Sequence, residues 1–422
     1  MPSALRPGSE VVLTVEKPVT GGRMLARLDG VVIFVAAAVP GERVRARVER
    51  VSKHLAFAVT TEVLEPSPDR RADPVDWACG GSLYAHIEYE RQLTLKAEVV
   101  ADSFARIGKI RLPEPVAVLR SRELGYRMRA RLHVDDGMFG FYREGTHELC
   151  DAAPTSQLLP ETVAAIERLR EVLKGAVLAG VASCDISENV EAGERAVLFH
   201  VEGAQHLPEI APVPGITGLA WAGDHGSRLN VAYGSPYVTD RIEISGGSTV
   251  LTRHVQSFFQ SNRYLLSPLV TRVLARVPEG RIVDLYAGVG LFAVSLAARG
   301  ESTIVAVEGD RSGARDLAAN AGPYHESIRV VDTSVEDYLA RRTIEPPATV
   351  VLDPPRTGVS PPAMSGLLAL RAPRIVYLSC DPATLARDAR RFVEAGYTLD
   401  HIEAFDLFPN TPHVETLAVF SR

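Results

Sequence analysis

The sequence predicts a multidomain α/β protein with an OB-like β-barrel at the N-terminus, a central α+β domain and a C-terminal doubly wound, Rossmann-like domain. Residues 1–65 contain short strands between turn signals, residues 66–250 mix strands with helices, and residues 251–422 alternate buried strands with helices. A chain of 422 residues is also too long for one compact core, so several domains are expected.

The barrel prediction depends on five short strands that are separated mostly by glycine-containing turns. These strands are predicted at Glu10–Glu16, Gly22–Leu28, Val31–Val35, Arg43–Ser52 and Leu55–Leu64. Arg43, Arg45 and Arg47 fall on one face of the fourth strand, because side chains alternate along a strand. That face either follows a nucleic-acid backbone or is a solvated strand edge, and the spacing alone favours neither.

The central region begins with a linker rich in proline and aspartate at residues 66–76. Helical periodicity follows at Glu88–Ile107 and again at Pro160–Gly175, with strands before and after the second helix. One strand carries a second row of alternating basic residues, Arg127, Arg129 and Arg131. Such a row is more often simply solvent-facing, but it is also a candidate contact surface for nucleic acid.

The composition is that of an ordinary soluble protein, with 46% apolar and 23% charged residues. Because no membrane span or signal peptide is recognisable, we expect a cytoplasmic protein. The net charge of −6 argues against an indiscriminate polyanion binder but leaves room for local basic patches. The four cysteines include no CxxC pair, and a disulfide framework is not expected in such a chain.

The C-terminal region predicts a mainly parallel sheet from strands at residues 281–286, 303–308, 329–332, 349–353, 374–379 and 399–408. Helices such as Leu291–Arg299 and Gly313–Ala321 lie between these strands. Because ligands bind at the carboxyl ends of such strands, the residues that follow each strand are the candidates for a site.

A glycine-rich turn follows the first of these strands and leads directly into a helix. Gly288 and Gly290 allow the backbone to approach a ligand closely, and Glu308 ends the next strand, where it can accept hydrogen bonds from ribose hydroxyls. Ala293 lies where a pyrophosphate-binding motif has its third glycine, which favours S-adenosylmethionine over NAD. The alternative is a doubly wound domain that binds no nucleotide.

Three further groups are placed at the same edge of the predicted sheet. Asp353 ends one strand and precedes two prolines, but Arg356 stands where amino methyltransferases have an aromatic residue. Cys380 ends the next strand, directly before a helix that is expected to lower the pKa of its thiol; the alternative is a buried, inert cysteine. Glu415 begins the last apolar strand and is either a solvated charge or a partly buried base with a raised pKa.

Four motifs give the chain a close resemblance to the RNA uracil-C5 methyltransferases, which form 5-methyluridine in ribosomal or transfer RNA. They are SCDPATLARD from Ser379, HVET from His413, DPPR-x-G from Asp353 and SFFQSN from Ser257. Residues 1–65 resemble the TRAM domain of many members, and residues 79–96 resemble the segment that follows it. The resemblance implies an RNA-binding barrel at residues 1–65, a central RNA-recognition domain at residues 66–250 and a class I methyltransferase domain at residues 251–422. It also implies that a helical segment near residues 88–115 packs on the catalytic domain.

The resemblance also implies roles for individual residues. Cys380 would be the nucleophile and Glu415 the base, while S-adenosylmethionine would be held by Gln260, Tyr286, Glu308 and Asp353. The substrate would be RNA, with 23S ribosomal RNA favoured over transfer RNA because the TRAM-bearing arrangement resembles the ribosomal members. We expect a monomer that does not contact membranes.

Many ribosomal-RNA members of the family hold a [4Fe–4S] cluster through four cysteines around a CGGC segment. In this chain Cys79 remains, whereas Ser82 replaces the next cysteine and Thr155 occupies the fourth position. Because one thiolate cannot hold a four-iron cluster, we expect neither an iron–sulfur cluster nor another metal.

Three other activities remain as alternatives. A cytosine-C5 RNA methyltransferase also uses a cysteine on C6, but it has different motif surroundings. A non-catalytic RNA-binding protein would not need both Cys380 and Glu415. A methyltransferase for a small molecule is disfavoured by the roughly 250 residues that precede the cofactor domain, since large added domains indicate a macromolecular substrate.

Overall fold

The computed structural model describes residues 5–53, 55–72, 76–173, 180–201, 210–223, 229–300, 302–341 and 344–422. The predicted helix end at Gly175 and residues 73–75 of the predicted linker lie outside these ranges. In the part of the chain that is described, no helix combines the length and the apolar character needed to cross a membrane.

The N-terminal strands close into a barrel, as predicted, in the order β1-β2-β3-β5-β4. They are β1 (Glu10–Pro18), β2 (Met24–Leu28), β3 (Val31–Ala36), β4 (Arg43–Ser52) and β5 (Leu55–Glu65). Alternate apolar side chains, among them Ile33 and Val44, fill the barrel. Arg43 and Arg45 form ion pairs with glutamates of β5, so the first basic row is partly neutralised within the barrel itself.

The central region forms a second sheet in the order β13-β12-β11-β10-β7-β8-β9. Two elements precede this sheet in the chain, α1 (Tyr89–Ser103) and β6 (Val118–Leu119). The elements of the region itself are β7 (Arg129–Asp135), β8 (Met138–Tyr142), β9 (Leu149–Asp151), α2 (Pro160–Val172), β10 (Val181–Glu188), β11 (Arg195–Val201), β12 (Gly218–Ala222) and β13 (Asn230–Gly234). The apolar face of α2 covers one side of this sheet, where Ile166 and Leu169 pack in one cluster with Leu132 and Ile186.

The C-terminal region is the predicted doubly wound domain, with the strand order β18-β17-β16-β19-β20-β22-β21-β6. Ahead of it, β14 (Tyr237–Ile244) and β15 (Gly247–His254) form a separate two-stranded sheet. The elements of the domain are α3 (Leu266–Leu274), β16 (Gly280–Leu285), α4 (Leu291–Arg299), β17 (Ser302–Glu308), α5 (Arg311–Ala321), β18 (Ile328–Asp332), α6 (Val335–Leu339), β19 (Thr349–Leu352), α7 (Pro361–Ala369), β20 (Arg374–Ser379), α8 (Pro382–Glu394), β21 (Thr398–Phe405) and β22 (Glu415–Ser421). Only β22 runs antiparallel to its neighbours in the described sheet. The chain order reverses beside β16, which is where ligands bind in such sheets.

Two elements from early in the chain complete the C-terminal sheet. Strand β6 pairs with β21 at the edge, where Val118 lies opposite Ala404. Helix α1 contributes Val100, and the π-helical turn that follows it contributes Phe104, to the same apolar cluster as Phe392 of α8. The predicted packing of this helical segment on the catalytic sheet is therefore present, whereas the sequence did not indicate β6.

A disulfide bond joins Cys79 to Cys150, so the expectation that the chain lacks disulfides is wrong at this point. The two residues are 71 positions apart in sequence, but β8 and β9 bring Cys150 of β9 next to the segment after the barrel, with Cα atoms 5.7 Å apart. The pairing depends on tertiary contacts that no local pattern reveals. Cys184 and Cys380 are free thiols.

A buried ion pair ties α1 to the segment that precedes β22. The Lys96 ammonium binds the Asp406 carboxylate and donates a second hydrogen bond to the Phe408 carbonyl at 3.1 Å, and the Lys96 and Asp406 side chains have no exposed surface. Nearby, the Gln92 side chain donates to Asn410 Oδ1 at 2.9 Å. These contacts position the segment of the chain that leads into Glu415.

Replacement of Lys96 by methionine is expected to lower the free energy of unfolding by about 3–5 kcal/mol, because it leaves the Asp406 carboxylate buried without a cation. Urea unfolding followed by circular dichroism measures the change. The control is Lys17→Met, which removes an exposed ion pair with Asp102 and should cost no more than about 1 kcal/mol. Equal costs for the two variants would contradict this account of the buried pair.

Candidate active site

A cavity of about 560 Å³ opens at the carboxyl edge of the C-terminal sheet. The parallel strands β16, β17, β19 and β20 end here in register, so the residues that follow them converge on one space. All six residues that the sequence singled out line this cavity: Gln260, Tyr286, Glu308, Asp353, Cys380 and Glu415.

The turn after β16 forms one wall of the cavity. Tyr286, Gly288 and Gly290 all have positive φ, at 62°, 55° and 97°, which only a tightly folded turn requires. A Cβ on Gly290 would lie 2.9 Å from side-chain atoms of Val294 and Leu317, so a larger residue would require these side chains to shift. Glu308 accepts hydrogen bonds from the Gly288 and Asp310 backbone amides, each at 2.6 Å, and is thereby fixed at the cavity wall.

Asp353, which lines the cavity, and Asp284, whose pKa responds to the charge of Asp353, both have little access to water. The Gln260 amide donates to Asp353 Oδ2 at 3.3 Å, and burial raises the pKa of Asp353 to about 7. Asp284, directly before the turn, is fully buried, and neither of its carboxyl oxygens has a hydrogen-bond partner among the described residues. Burial, followed by the charge of Asp353, raises the pKa of Asp284 well above its ordinary value.

Cys380 and Glu415 come from adjacent antiparallel strands. Strands β20 and β22 pair as far as Ser379 and Thr416, and Cys380 and Glu415 are the next residues beyond that pair. Both side chains reach the same cavity, and α8 begins just after Cys380 with the Asp381 side chain accepting from the Thr384 amide at 2.7 Å. The strand register therefore brings a thiol and a carboxyl group together at one wall.

The ionisation of the thiol differs from the sequence prediction. Burial, together with the charge of Glu415, raises the pKa of Cys380 to about 11, although the neighbouring Arg356 acts in the opposite direction. The expectation that the helix N-terminus lowers this pKa is therefore wrong in the absence of ligands, because desolvation outweighs it. Burial and the charge of Asp353 also raise the pKa of Glu415 well above its usual value, which agrees with the predicted buried base.

Alkylation of Cys380 by iodoacetamide in the ligand-free protein is expected to accelerate about tenfold per pH unit from pH 7 to pH 9.5, without a plateau. The reason is that an acid with a raised pKa stays neutral below that pKa, and only the thiolate reacts. Mass spectrometry of the peptide that contains Cys380 measures the rate separately from that of the buried Cys184. A plateau below pH 9 would instead favour the low pKa that the sequence predicted.

Two residues of the site were not recognised from the sequence as part of it. Arg356 was read only as evidence against an amino methyltransferase, yet it lines the cavity and its charge acts to lower the pKa of the Cys380 thiol. Phe258, two residues before Gln260, lines the cavity although 66% of its surface is exposed. The signal available in the sequence was the position of this phenylalanine within the SFFQSN segment, two residues before a candidate site residue.

Comparisons with known proteins identify the family of the chain. The sequence model of the family described as tRNA (Uracil-5-)-methyltransferase matches residues 224–422, and that of the TRAM domain matches residues 4–60. An "Uncharacterized RNA methyltransferase" of Aquifex aeolicus is 31% identical over 420 residues, covering 96% of this chain and 97% of the relative. The "23S rRNA (uracil(1939)-C(5))-methyltransferase RlmD" of Halomonas elongata is 32% identical over 424 residues, covering 95% of this chain and 87% of the relative.

A solved structure also matches along nearly the whole chain. It is the Pyrococcus abyssi tRNA (uracil-54, C5)-methyltransferase in complex with S-adenosyl-L-homocysteine, with a TM-score of 0.76 and 25% identity over 97% of this chain and 100% of the other. The barrel, the doubly wound sheet and these similarities agree with one another, and the chain belongs to the family of S-adenosylmethionine-dependent RNA uracil-C5 methyltransferases and carries a TRAM domain at its N-terminus.

Proposed function

We propose that this enzyme methylates C5 of a uridine in 23S ribosomal RNA through a covalent bond between Cys380 and C6 of the base. The observation that carries the proposal is that Cys380 and Glu415 share one cavity with the four candidate cofactor residues. The relatives named as 23S ribosomal RNA methyltransferases, which are similar over nearly the full length of the chain, support the choice of RNA.

The residues of the cavity fit S-adenosylmethionine. Glu308 is held where it can accept from both ribose hydroxyls, because each of its oxygens has capacity beyond its backbone contact. Gln260 and Asp353 offer an amide and a carboxyl group near Cys380, and Tyr286 offers an apolar wall. The bound cofactor supplies a methyl group on a positively charged sulfonium. The acidic groups of this cavity are suited to a positively charged ligand.

Cys380 adds to the base in the first step of the proposed reaction. Its thiolate forms a bond to C6, and the electrons of the C5–C6 double bond move toward C5 and O4. C5 then takes the methyl group, which leaves a neutral thioether on the donor. In the last step the Glu415 carboxylate removes the remaining C5 proton, the double bond re-forms and Cys380 leaves as thiolate.

Arg356 is proposed to stabilise the charged form of Cys380. Arg356 lines the same cavity as the thiol, and its charge acts to lower the pKa of both Cys380 and Glu415, against the larger effect of burial. A fixed cation beside the nucleophile favours thiolate without adding a proton-transfer step.

The chain is proposed to hold no iron–sulfur cluster, because its residues do not fit one. Of the cysteines near the CGGS segment, Cys79 is bonded to Cys150, and Ser82 stands where a thiolate would be needed. In the part of the chain that is described, no group of three or more acidic, histidine or cysteine side chains is arranged to bind a metal. Iron and sulfide analysis of protein purified without oxygen tests this proposal, and four irons per chain would overturn it.

The three predicted domains are proposed to have different roles. Residues 1–65 and 66–250 would bind the RNA that flanks the target uridine, and residues 251–422 would catalyse the methyl transfer. The target uridine must leave its stack to enter the cavity, which costs least in a single-stranded loop.

The proposed substrate is tested by mapping 5-methyluridine in RNA from a strain that lacks the gene. One uridine of 23S ribosomal RNA should lose its methyl group and regain it with the wild-type gene, but not with Cys380→Ala. Loss from transfer RNA alone would replace the proposed substrate with the one named for the Pyrococcus abyssi enzyme. Loss of 5-methylcytosine would overturn the proposed reaction.

A further inference from the structure

A second cavity, of about 900 Å³, lies between the central sheet and α5 of the C-terminal domain, and the proposed reaction does not use it. It adjoins the active-site cavity, because Asp310 lines both. Its charged lining consists of four arginines, three aspartates and a histidine: Arg129, Arg131, Arg311, Arg315, Asp185, Asp310, Asp332 and His200. Two domains thus contribute basic side chains to one cleft.

Arg129 and Arg131 differ in their partners although both stand on the same face of β7. Arg131 binds the Asp185 carboxylate through two hydrogen bonds at 2.7 and 2.8 Å, and His200 occupies the same carboxylate at 2.8 Å. These two contacts outweigh burial and hold the pKa of Asp185 well below its ordinary value. The Asp185 carboxylate is therefore ionised, and it already accepts most of the hydrogen bonds that it can accept.

Arg129 has no carboxylate partner in the described part of the chain. Its guanidinium donates one long hydrogen bond, 3.4 Å, to the Gln256 carbonyl, and its Nε atom is buried without an acceptor. Burial and the neighbouring Arg253, Arg131 and Arg127 lower the pKa of Arg129 below its ordinary value, with Asp185 acting in the opposite direction. A half-buried cation among other cations destabilises the folded protein. Such an arrangement is typical of a side chain that binds an anionic ligand.

The position of Arg129 connects this cleft to the active-site cavity. Its guanidinium lies over the ring of Phe258 at 5.9 Å from the centroid, and Phe258 lines the active-site cavity. The opposite wall of the cleft carries Arg311 and Arg315, both exposed. The N-terminus of α5 is not itself free, because Asp310 accepts from the Ser312 and Gly313 amides.

We propose that this cleft binds a phosphodiester of the substrate RNA beside the target uridine, with Arg129 as its principal ligand and Arg311 and Arg315 on the opposite wall. The proposal rests on the proposed function, since it assumes that RNA enters the neighbouring cavity. A guanidinium suits a phosphate because it can donate two parallel hydrogen bonds to it. Such a contact fixes the register of the strand without reading its sequence.

The experiment compares Arg129→Gln with Arg391→Gln, which removes the same charge from the exposed end of α8 far along the helix from Cys380. Arg129→Gln should weaken binding of a short, fluorescein-labelled single-stranded RNA by roughly 10- to 100-fold. The slope of log affinity against log salt should also fall in magnitude by about 0.7, the contribution of one phosphate on a single strand. Arg391→Gln should change neither quantity.

The stability of the variants separates a binding role from a structural one. Arg129→Gln should leave the thermal midpoint unchanged or raise it, because an unpaired cation is removed, whereas Arg131→Gln should lower it by leaving Asp185 without its main partner. Arg315→Gln on the other wall provides a second binding variant that does not touch the central sheet. Arg129→Lys should recover part of the affinity.

The outcomes distinguish this inference from the proposed function. RNA affinity and salt slope that stay at wild-type values in Arg129→Gln would overturn the phosphate site, even if the enzyme methylates 23S ribosomal RNA. Reduced affinity and slope with an unchanged midpoint would support the site whichever RNA is methylated. Failure to methylate any RNA would overturn the proposed function alone, because binding is measured without turnover.

Discussion

Replacement of Cys380 by alanine is expected to reduce methyl transfer to RNA by at least about 10⁴-fold, because the addition to C6 that activates C5 can no longer take place. Binding of S-adenosylhomocysteine should persist, since the candidate cofactor residues lie on other strands of the cavity. Transfer of a labelled methyl group to RNA gives the rate, and calorimetric titration gives the affinity.

The matched control for this variant is Cys184→Ala. Cys184 is the other free thiol and lies in the core of the central sheet, away from the cavity, so its removal should leave the rate near that of the wild type. A Cys380→Ala protein that still methylates uridine would refute covalent catalysis by this residue. Loss of cofactor binding in the same variant would mean that the thiol serves the cofactor instead.

Replacement of Glu415 by glutamine is expected to stop the reaction after methyl transfer, because no group then removes the C5 proton. Turnover should fall by about 10²- to 10⁴-fold, and a covalent complex of protein and methylated RNA should accumulate. The complex would appear as a slower band on a denaturing gel, would carry the labelled methyl group and would disappear after nuclease treatment.

The double variant Cys380→Ala/Glu415→Gln supplies the control for the adduct. It should give no shifted band, because the thiolate that forms the bond to RNA is missing. A shifted band in the double variant would assign the bond to another residue. Wild-type turnover in Glu415→Gln would remove this carboxylate from the proposed reaction, and Asp353 would then be the nearest remaining candidate in the cavity.

The sequence predicted the C-terminal sheet and the position of the candidate residues at its carboxyl edge, because both depend on local signals. Buried parallel strands are short apolar runs, and their carboxyl ends are marked by Tyr286, Glu308, Asp353 and Cys380. Once the sheet is parallel, these ends must converge, so the shared cavity follows from the pattern. The helix predicted at Leu291–Arg299 was found with the same bounds for the same reason.

Features that depend on distant parts of the chain could not be predicted in this way. The bond between Cys79 and Cys150 and the pairing of β6 with β21 join segments whose proximity only the folded protein establishes. The pKa of Cys380 was misjudged because the sequence shows the helix that follows the thiol but not the desolvation around it. For the same reason the sequence could not distinguish Arg129 from its neighbour Arg131, since only the structure shows which of them Asp185 neutralises.

The buried contact between Lys96 and Asp406 also bears on how the chain folds as it is made. The two residues are 310 positions apart, so at ordinary ribosomal speeds Lys96 is added to the chain roughly 15–60 s before its carboxylate partner. During that interval the apolar face of α1, with Val100 and Phe104, has no sheet to cover it. The stable docking of α1 therefore has to wait until the last strands are synthesised.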